Sequence, residues 1–338
     1  MTNYLISSGS SAEHYFFRPY EGICCKKRMP SGLWGEHAAC VPAGQDGFGA
    51  YADKSGNVHL ICIDKENRLI YAVRKNDKWK KYILTSLNSD IFVSDMRLYN
   101  AGGRLNLLYS ALYNGETLLI HCILGDHAKP STVDTLETSH FYIYNKRVYY
   151  TNARGELGYV ALSDEKPAGF NKLYSDAHCC TLYNLGGKEL MLFTRESKLF
   201  INGEEILYDS HMEMPTLVKG ADRAYIMWKS GSFVRYIATF NSGITWSDPM
   251  RFMSTGSAVS MYLAQQGESF NYYYGYNSDK DISLLGAPDI FSEPADYTLP
   301  KPNEIEKLKI MLDMTRREVM EAKKEIVRLN KTIDSLKK

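Results

Sequence analysis

The sequence predicts an all-β protein, a β-propeller of four-stranded blades, followed by a long C-terminal α-helix that forms a coiled coil. Three observations predict it: a repeated group of four short strands, regular spacing of the turns in that group, and a change of composition near residue 300. Every Gly and every aromatic residue of the chain precedes the segment 302–338. We therefore expect a propeller over 1–299 and an oligomerisation helix over 302–338.

The segment 47–84 shows the repeating group most clearly. It contains the runs FGAYAD, NVHLICID, RLIYAVRK and KWKKYIL, joined by short turns. Runs rich in β-branched and aromatic residues between Gly, Asn and Asp turns are typical of strands and hairpins. Comparable groups follow along the chain, and the N-terminal residues form another.

The spacing of the repeat indicates a propeller. The turn between the first two strands of each group is marked by one residue, in order Gly9, Gly56, Gly103, Asn145, Gly187, Gly220 and Gly267. Successive markers lie 47, 47, 42, 42, 33 and 47 residues apart. Periods of this length with four strands per period are typical of propeller blades. Seven blades are favoured, and six remain the alternative if the N-terminal strands complete the last blade.

Composition excludes several classes of protein. The chain has 40 basic and 39 acidic side chains, a net charge of +1, which gives no electrostatic case for nucleic-acid binding. No apolar run approaches the roughly 20 residues needed to span a bilayer. No secretory signal is visible, so we expect a cytoplasmic location, with non-classical release or surface display left open.

Cysteine spacing predicts neither a disulfide framework nor a zinc site. The chain has seven cysteines, an odd number, in two adjacent pairs and three singles without any CxxC. We expect these thiols to be buried in strand faces. The sequence predicts no metal and no cofactor.

One turn carries a recognisable motif. The run Thr239-Phe240-Asn241-Ser242-Gly243-Ile244-Thr245-Trp246 resembles the Asp box, Ser-x-Asp-x-Gly-x-Thr-Trp, of sialidase-like BNR-repeat propellers. Asn caps a tight turn, Gly adopts positive φ, and Trp buries its ring between sheets. The resemblance implies a structural turn between the third and fourth strands of a blade, formed by Thr239, Asn241, Gly243, Thr245 and Trp246.

The same resemblance raises the question of sialidase chemistry. The family implies three arginines around a carboxylate, a Tyr–Glu nucleophile pair and an Asp acid/base. The family's first arginine lies in a Phe/Tyr-Arg-Ile-Pro signature. The nearest match is Arg18 in Phe16-Phe17-Arg18-Pro19, which lacks the apolar residue between arginine and proline. Nothing identifies a catalytic residue, and no HExxH, GxSxG or P-loop motif occurs. A sialidase-like glycoside hydrolase or lyase is therefore the alternative to a non-catalytic member.

Four residues are candidate ligand contacts. Arg18 suits a carboxylate because guanidinium binds it bidentately. Tyr273 and Tyr276 lie in the densest aromatic stretch, 269–279, and Trp228 lies close to a loop. Tyr and Trp combine an apolar face with a polar group, which suits sugar or peptide recognition. Packing between blades is the competing explanation for most of these rings.

The C-terminal segment predicts a coiled coil. Apolar residues occupy a heptad seam of almost five repeats in which Thr315 is the polar member: Ile305, Leu308, Leu312, Val319, Ala322, Ile326, Leu329, Ile333 and Leu336. β-branched residues at a with Leu at d favour a parallel dimer, although trimers and tetramers stay open. A single amphipathic helix packed on its own propeller is the alternative.

These observations favour a non-enzymatic recognition or scaffold protein. A propeller displayed in several copies by a coiled coil gains avidity for glycan or protein ligands bound at one face. A purely structural assembly subunit is a third reading. The expected partners are a second copy of the chain and a glycan or protein ligand.

Overall fold

Four-stranded antiparallel units repeat along the chain. The computed structural model describes residues 3–8, 11–125, 129–162, 169–220, 223–252, 259–267, 269–277, 281–287, 290, 323 and 326, and they contain 26 strands. In units 1 to 3, four strands follow one another and are joined by turns, as the sequence predicts. Unit 1 has β1 (Asn3–Ser8), β2 (Ser11–Arg18), β3 (Gly22–Arg28) and β4 (Trp34–Val41). Unit 2 has β5 (Gly49–Ala52), β6 (Val58–Ile63), β7 (Arg68–Lys75) and β8 (Lys78–Ser86). Unit 3 has β9 (Phe92–Ala101), β10 (Arg104–Tyr113), β11 (Glu116–Ile123) and the first part of β12 (Ser131–Tyr144).

The remaining units complete the chain. Unit 4 has the second part of β12, then β13 (Arg147–Asn152), β14 (Glu156–Ala161) and β15 (Asn171–Ser175). Unit 5 has β16 (His178–Leu185), β17 (Lys188–Arg195), β18 (Lys198–Ile201) and β19 (Glu204–Tyr208). Unit 6 has β20 (Met212–Lys219), β21 (Ala224–Ser230), β22 (Phe233–Thr239) and β23 (Met250–Arg251). Unit 7 has β24 (Val259–Gln266), β25 (Ser269–Asn277) and β26 (Ile282–Leu284).

The first strands of units 1 to 6, together with strands of unit 7, form a closed ring. Strand β1 contacts β5, and the contacts continue in order through β9, β12, β16 and β20 to β25 of unit 7. The ring closes where β1 pairs with β24 in parallel, with Tyr4 opposite Leu263. A ring of antiparallel units around their first strands is the arrangement of a β-propeller.

The units combine into five sheets. Units 2, 5 and 6 are separate four-stranded sheets, whereas units 3 and 4 are joined through the long strand β12. Units 1 and 7 form one seven-stranded sheet in the order β26-β25-β24-β1-β2-β3-β4. The described part of the chain therefore contains six four-stranded units and one unit of three strands that shares its sheet with unit 1. The N-terminal strands also join the last unit, as the six-blade alternative expects.

Strand β25 contacts several units of the ring. The ring centroid of Phe270 in β25 lies 6.2 Å from that of Tyr4 and 6.4 Å from that of Tyr51. The Tyr142 hydroxyl donates to the Phe270 carbonyl over 3.0 Å, and Thr216 of β20 donates to another β25 carbonyl over 2.8 Å. Hydrogen bonds therefore connect β25 of unit 7 to β12 and β20 of other units.

A buried charge cluster adjoins this strand. Arg97 of β9 donates to the hydroxyl groups of Tyr4 over 2.9 Å and of Tyr272 over 3.0 Å, and it forms an ion pair with Asp95. Burial by itself lowers the pKa of Arg97, but Asp95, Tyr272 and Tyr4 raise it well above its ordinary value. Burial raises the pKa of Asp95, against the opposing effect of Arg97. One guanidinium thus joins units 1, 3 and 7.

The hydrophobic cores lie between neighbouring sheets. The largest brings together the first strands of units 1, 2 and 3 with residues of β25. Another is shared by units 5 and 6, and a third by units 3 and 4. The contacts between units therefore hold most of the buried apolar side chains.

The predicted coiled coil lies outside the described residues. Only Lys323 and Ile326 of the segment 302–338 are described, both helical in backbone and both exposed. Ile305, Leu308, Leu312, Val319, Ala322, Leu329, Ile333 and Leu336 are not among them, so the seam and its oligomer stay predictions. Within the described ranges, no helix is long and apolar enough to cross a bilayer.

His14 is a buried imidazole in β2. Its Nε2 lies 3.3 Å from Asn3 Oδ1, and its ring stacks on Phe16 with 4.7 Å between centroids. Burial, with a smaller effect of Lys26, lowers the pKa of His14 to about 3. The folded protein therefore holds this side chain neutral at pH values where an unfolded histidine is protonated.

Lowering the pH from about 7 to about 5 is expected to destabilise the fold. The stabilisation from neutral His14 is complete above the unfolded pKa near 6.5 and is lost as the pH falls toward its folded pKa, by up to about 1.4 kcal/mol per pH unit. Urea unfolding across this range measures the slope. His14→Gln should flatten it and exposed His211→Gln should not; equal slopes in both variants contradict the assignment.

Candidate ligand-binding pocket

A pocket of about 500 Å³ opens at one end of the ring. First strands run in the same direction around a propeller, so the turns that follow them meet at one end. Three of these turns line the pocket, and they contribute Asp53, Lys54 and Ser55 from β5–β6, Asn100, Gly102 and Gly103 from β9–β10, and Lys146 from β12–β13. Buried Tyr51 and Ala101 complete the lining.

The β5–β6 turn is fixed by its own carboxylate. Asp53 accepts backbone hydrogen bonds from Ser55 over 2.8 Å and from Asn57 over 2.9 Å, and Gly56 adopts a φ of 76°. Burial raises the pKa of Asp53, but hydrogen bonds from Asn57 and His59 outweigh it and leave the pKa below its ordinary value. Asp53 therefore stays ionised and holds the turn that presents Lys54.

The other two turns are tight two-residue hairpins. Gly102 and Gly103 have φ of 56° and 78°, and Asn145 and Lys146 have φ of 47° and 57°. Positive φ at both central residues is the pattern of a type I′ turn, which matches the twist of the paired strands. A Cβ at Gly103 would meet no atom within 4 Å, so the backbone of this turn faces open space. The rim is thus formed by constrained turns.

The charge of the lining is positive. Lys54 and Lys146 are exposed, and Asp53 is the one carboxylate among the lining residues. His59, which contacts Asp53 over 3.2 Å, has its pKa lowered by burial, partly offset by Asp53, so it is neutral at neutral pH. Two ammonium groups at the pocket favour a ligand that carries negative charge.

The sequence-predicted ligand contacts lie elsewhere. Trp228 has 0% exposed surface and donates through Nε1 to Asp209 over 2.8 Å, so this structure gives a ligand no access to it. It fills the core between units 5 and 6. Tyr273 is 7% exposed and packs in the core of units 1, 6 and 7, where Tyr276 is half-buried. None of the three lines the pocket.

Arg18 is exposed but engaged by its own unit. Its guanidinium lies 3.0 Å from Glu21 and also contacts His37. Three other strand arginines have separate partners: Arg97 is buried beside Asp95, Arg195 donates to the Ser175 carbonyl, and Arg235 pairs with Asp209. The described residues thus do not assemble an arginine clamp.

The Asp-box-like turn lies between β22 and β23, the third and fourth strands of unit 6. Asn241 Oδ1 accepts from the Thr245 backbone over 3.0 Å, and Thr239 Oγ1 accepts from the Gly243 backbone over 3.0 Å. Gly243 has a φ of 82°, and Trp246 packs against the core of units 5 and 6. These contacts describe a structural turn, remote in sequence from the pocket lining.

No protein-family model and no curated protein matches the chain. Solved structures similar to it include a fucose-specific lectin from Aleuria aurantia, 11% identical over 85% of this chain and 96% of that one, with a TM-score of 0.46. AofleA from Arthrobotrys oligospora is 13% identical over 85% and 83%, with a TM-score of 0.43. Hadza microbial sialidase Hz136 is 12% identical over 84% and 65%, with a TM-score of 0.46. Such values are too low to assign a family or a ligand.

The pocket residues escaped the sequence analysis, although a signal for them was present. Gly56, Gly103 and Asn145 mark the three turns that line it. Turns that follow first strands share one end of a propeller, so the markers also predict which loops meet. Lys54 and Lys146 lie in two of these turns, so their positions in the sequence indicate that they can contribute to a shared site.

Proposed function

We propose that the chain is a non-enzymatic recognition protein that binds acidic carbohydrates in the pocket formed by the β5–β6, β9–β10 and β12–β13 turns. The observation that carries this proposal is the convergence of Lys54 and Lys146 with Asn100 and Ser55 around one open cavity. Ammonium groups bind a carboxylate or sulfate, while amide and hydroxyl groups exchange hydrogen bonds with sugar hydroxyls. A uronate, sialate or sulfated sugar combines both features.

The constrained turns at the rim of the pocket support a binding site that is already formed before the ligand binds. Tight hairpins with two positive φ angles have few alternative conformations, so little ordering entropy is lost on binding. The glycine turn at 102–103 leaves backbone groups accessible beside the lysines. These features suit a ligand with many closely spaced hydroxyl groups.

Binding is favoured over hydrolysis by the number of carboxyl groups. Glycosidases commonly use two, roughly 5–9.5 Å apart, one of them held protonated as an acid. The lining residues include one carboxylate, Asp53, whose pKa lies below its ordinary value and whose oxygens hold the turn. This arrangement supports the non-catalytic alternative over a hydrolase or lyase.

Replacing both pocket lysines should weaken binding of an acidic sugar. Lys54→Ala with Lys146→Ala removes two charge-assisted contacts, so we expect at least a tenfold loss of affinity, about 1.4 kcal/mol or more. Isothermal titration with heparin-derived and sialylated oligosaccharides measures the loss, and raising the salt concentration should weaken the native interaction.

Lys78→Ala at the start of β8 is the control, since Lys78 is exposed and does not line the pocket. It should bind as the native protein does. Equal affinity in the double variant and the control would place the site elsewhere. Turnover of the same oligosaccharides would favour the hydrolase.

We further propose that the segment 302–338 presents the propeller in several copies. The support is the heptad seam of the sequence, which has apolar residues at nearly every a and d position. Linked copies raise the avidity of individually weak sugar sites without new contacts. The expected assembly is a dimer to tetramer.

Ending the chain at residue 301 should give a monomer with the single-site affinity of the full chain. Light scattering measures the mass, and binding to a sugar-coated surface should weaken strongly while binding of a monovalent sugar stays the same. The full-length double variant Ile326→Asp, Leu329→Asp tests the seam without truncation. The same number of chains per particle in the full-length protein, the truncated protein and this variant would contradict the model.

A further inference from the structure

Three potential metal ligands meet at the edge of unit 1, away from the pocket. They are Glu21 in the β2–β3 turn, Cys24 in β3 and His37 in β4, and one ligand atom of each lies within 4.8 Å of the others. We propose that these residues bind a zinc ion. The three donors share no residue with the sugar pocket.

Strand pairing explains why the donors meet. Cys24 lies opposite Phe16 of β2 and opposite Ala39 of β4, and Lys26 lies opposite His37. Paired residues point to the same face of a sheet, as do residues two apart in one strand. Cys24 and His37 therefore share a face, and the turn brings Glu21 over it.

The β2–β3 turn packs closely against the end of β4. Gly22 has a φ of 76°, and a Cβ there would lie 2.3 Å from the Val41 carbonyl oxygen and 2.5 Å from that of Pro42. Only glycine permits this approach of the hairpin to the end of β4. The backbone that carries Glu21 and Cys24 is thus held against the strand that carries His37.

The distances require small movements to coordinate an ion. His37 Nε2 lies 2.8 Å from Glu21 Oε2, and Cys24 Sγ lies 4.0 Å from the same oxygen. Zinc bonds of about 2.0–2.3 Å in a tetrahedron place donor atoms about 3.2–3.8 Å apart. Rotamer adjustments of around 1 Å satisfy this, since Glu21 and His37 are partly exposed.

In the metal-free protein the exposed groups of this cluster bind one another. His37 Nε2 lies 2.8 Å from Glu21 Oε2, and the Arg18 guanidinium contacts the His37 ring and lies 3.0 Å from Glu21 Oε1. An imidazole with its hydrogen on Nε2 donates to one carboxylate oxygen while Arg18 pairs with the other. A zinc ion would take the place of the Nε2 hydrogen and of Arg18, because the imidazole nitrogen and the carboxylate oxygen can both donate lone pairs to it.

In the metal-free protein, the positive charge of Arg18 balances the negative charge of Glu21, and the metal ion replaces Arg18 in this role. Its side chain is 45% exposed and can move into solvent when the ion binds. Thiolate, imidazole and carboxylate together suit zinc, and three protein ligands leave the fourth position to water. Coordination replaces the Cys24 thiol proton, which passes to solvent.

Titration of the metal-free full chain with Zn²⁺, and with Co²⁺ as a spectroscopic probe, tests the site. We expect one ion per chain and a thiolate-to-cobalt absorption band. Cys24→Ser, His37→Gln and Glu21→Gln should each lower affinity at least about tenfold. Arg18→Ala should bind as tightly as the native chain or more tightly, because it removes the competing charge.

Cys180→Ser and His211→Gln are matched controls that make the same chemical changes away from the cluster, and both should retain native affinity. If Cys24→Ser does not fold, the Glu21→Gln and His37→Gln variants still test the site, because both side chains are partly exposed. Absence of saturable zinc binding, native affinity in His37→Gln and Glu21→Gln, or loss of binding in Arg18→Ala would each overturn the proposal.

Discussion

The buried guanidinium of Arg97 is the constraint on which the ring depends. A charge without solvent must be paired and hydrogen-bonded, and removing one member of such a buried pair typically costs about 3–5 kcal/mol. Arg97 meets this requirement only if β1 provides Tyr4, β25 provides Tyr272 and its own strand provides Asp95. Units distant in sequence must therefore be in place together, which links closure of the ring to satisfaction of one charge.

Closure in turn positions the ligand-binding turns. Once β25 contacts β12 and β20 and β1 pairs with β24, the first strands are held side by side, and the turns that follow them meet at one end. Each turn is then constrained locally, by Asp53 in one case and by paired positive φ angles in the others. The pocket combines a long-range arrangement of strands with short-range turn chemistry, and neither produces it alone.

The sequence predicted the local structure well and long-range contacts poorly. Strand runs and turn markers such as Gly56, Gly103 and Asn145 were confirmed because alternation and turn propensity are local properties. The burial of Trp228 was missed because its proximity to a loop said nothing of Asp209 or the neighbouring sheet. Likewise, cysteine spacing along the chain did not indicate that Cys24 lies near His37, because the two meet only through strand pairing. Predicting the pocket that contains Lys54 and Lys146 requires knowing which turns meet at the same end of the ring.

Hydrogen–deuterium exchange of the full chain, with and without a saturating acidic oligosaccharide, tests the central claim most directly. The account predicts that added protection is confined to the β5–β6, β9–β10 and β12–β13 turns, at residues 51–57, 100–104 and 145–147, because these segments line one pocket. Protection centred on other turns, or on the 269–277 strand with these three unchanged, would contradict it.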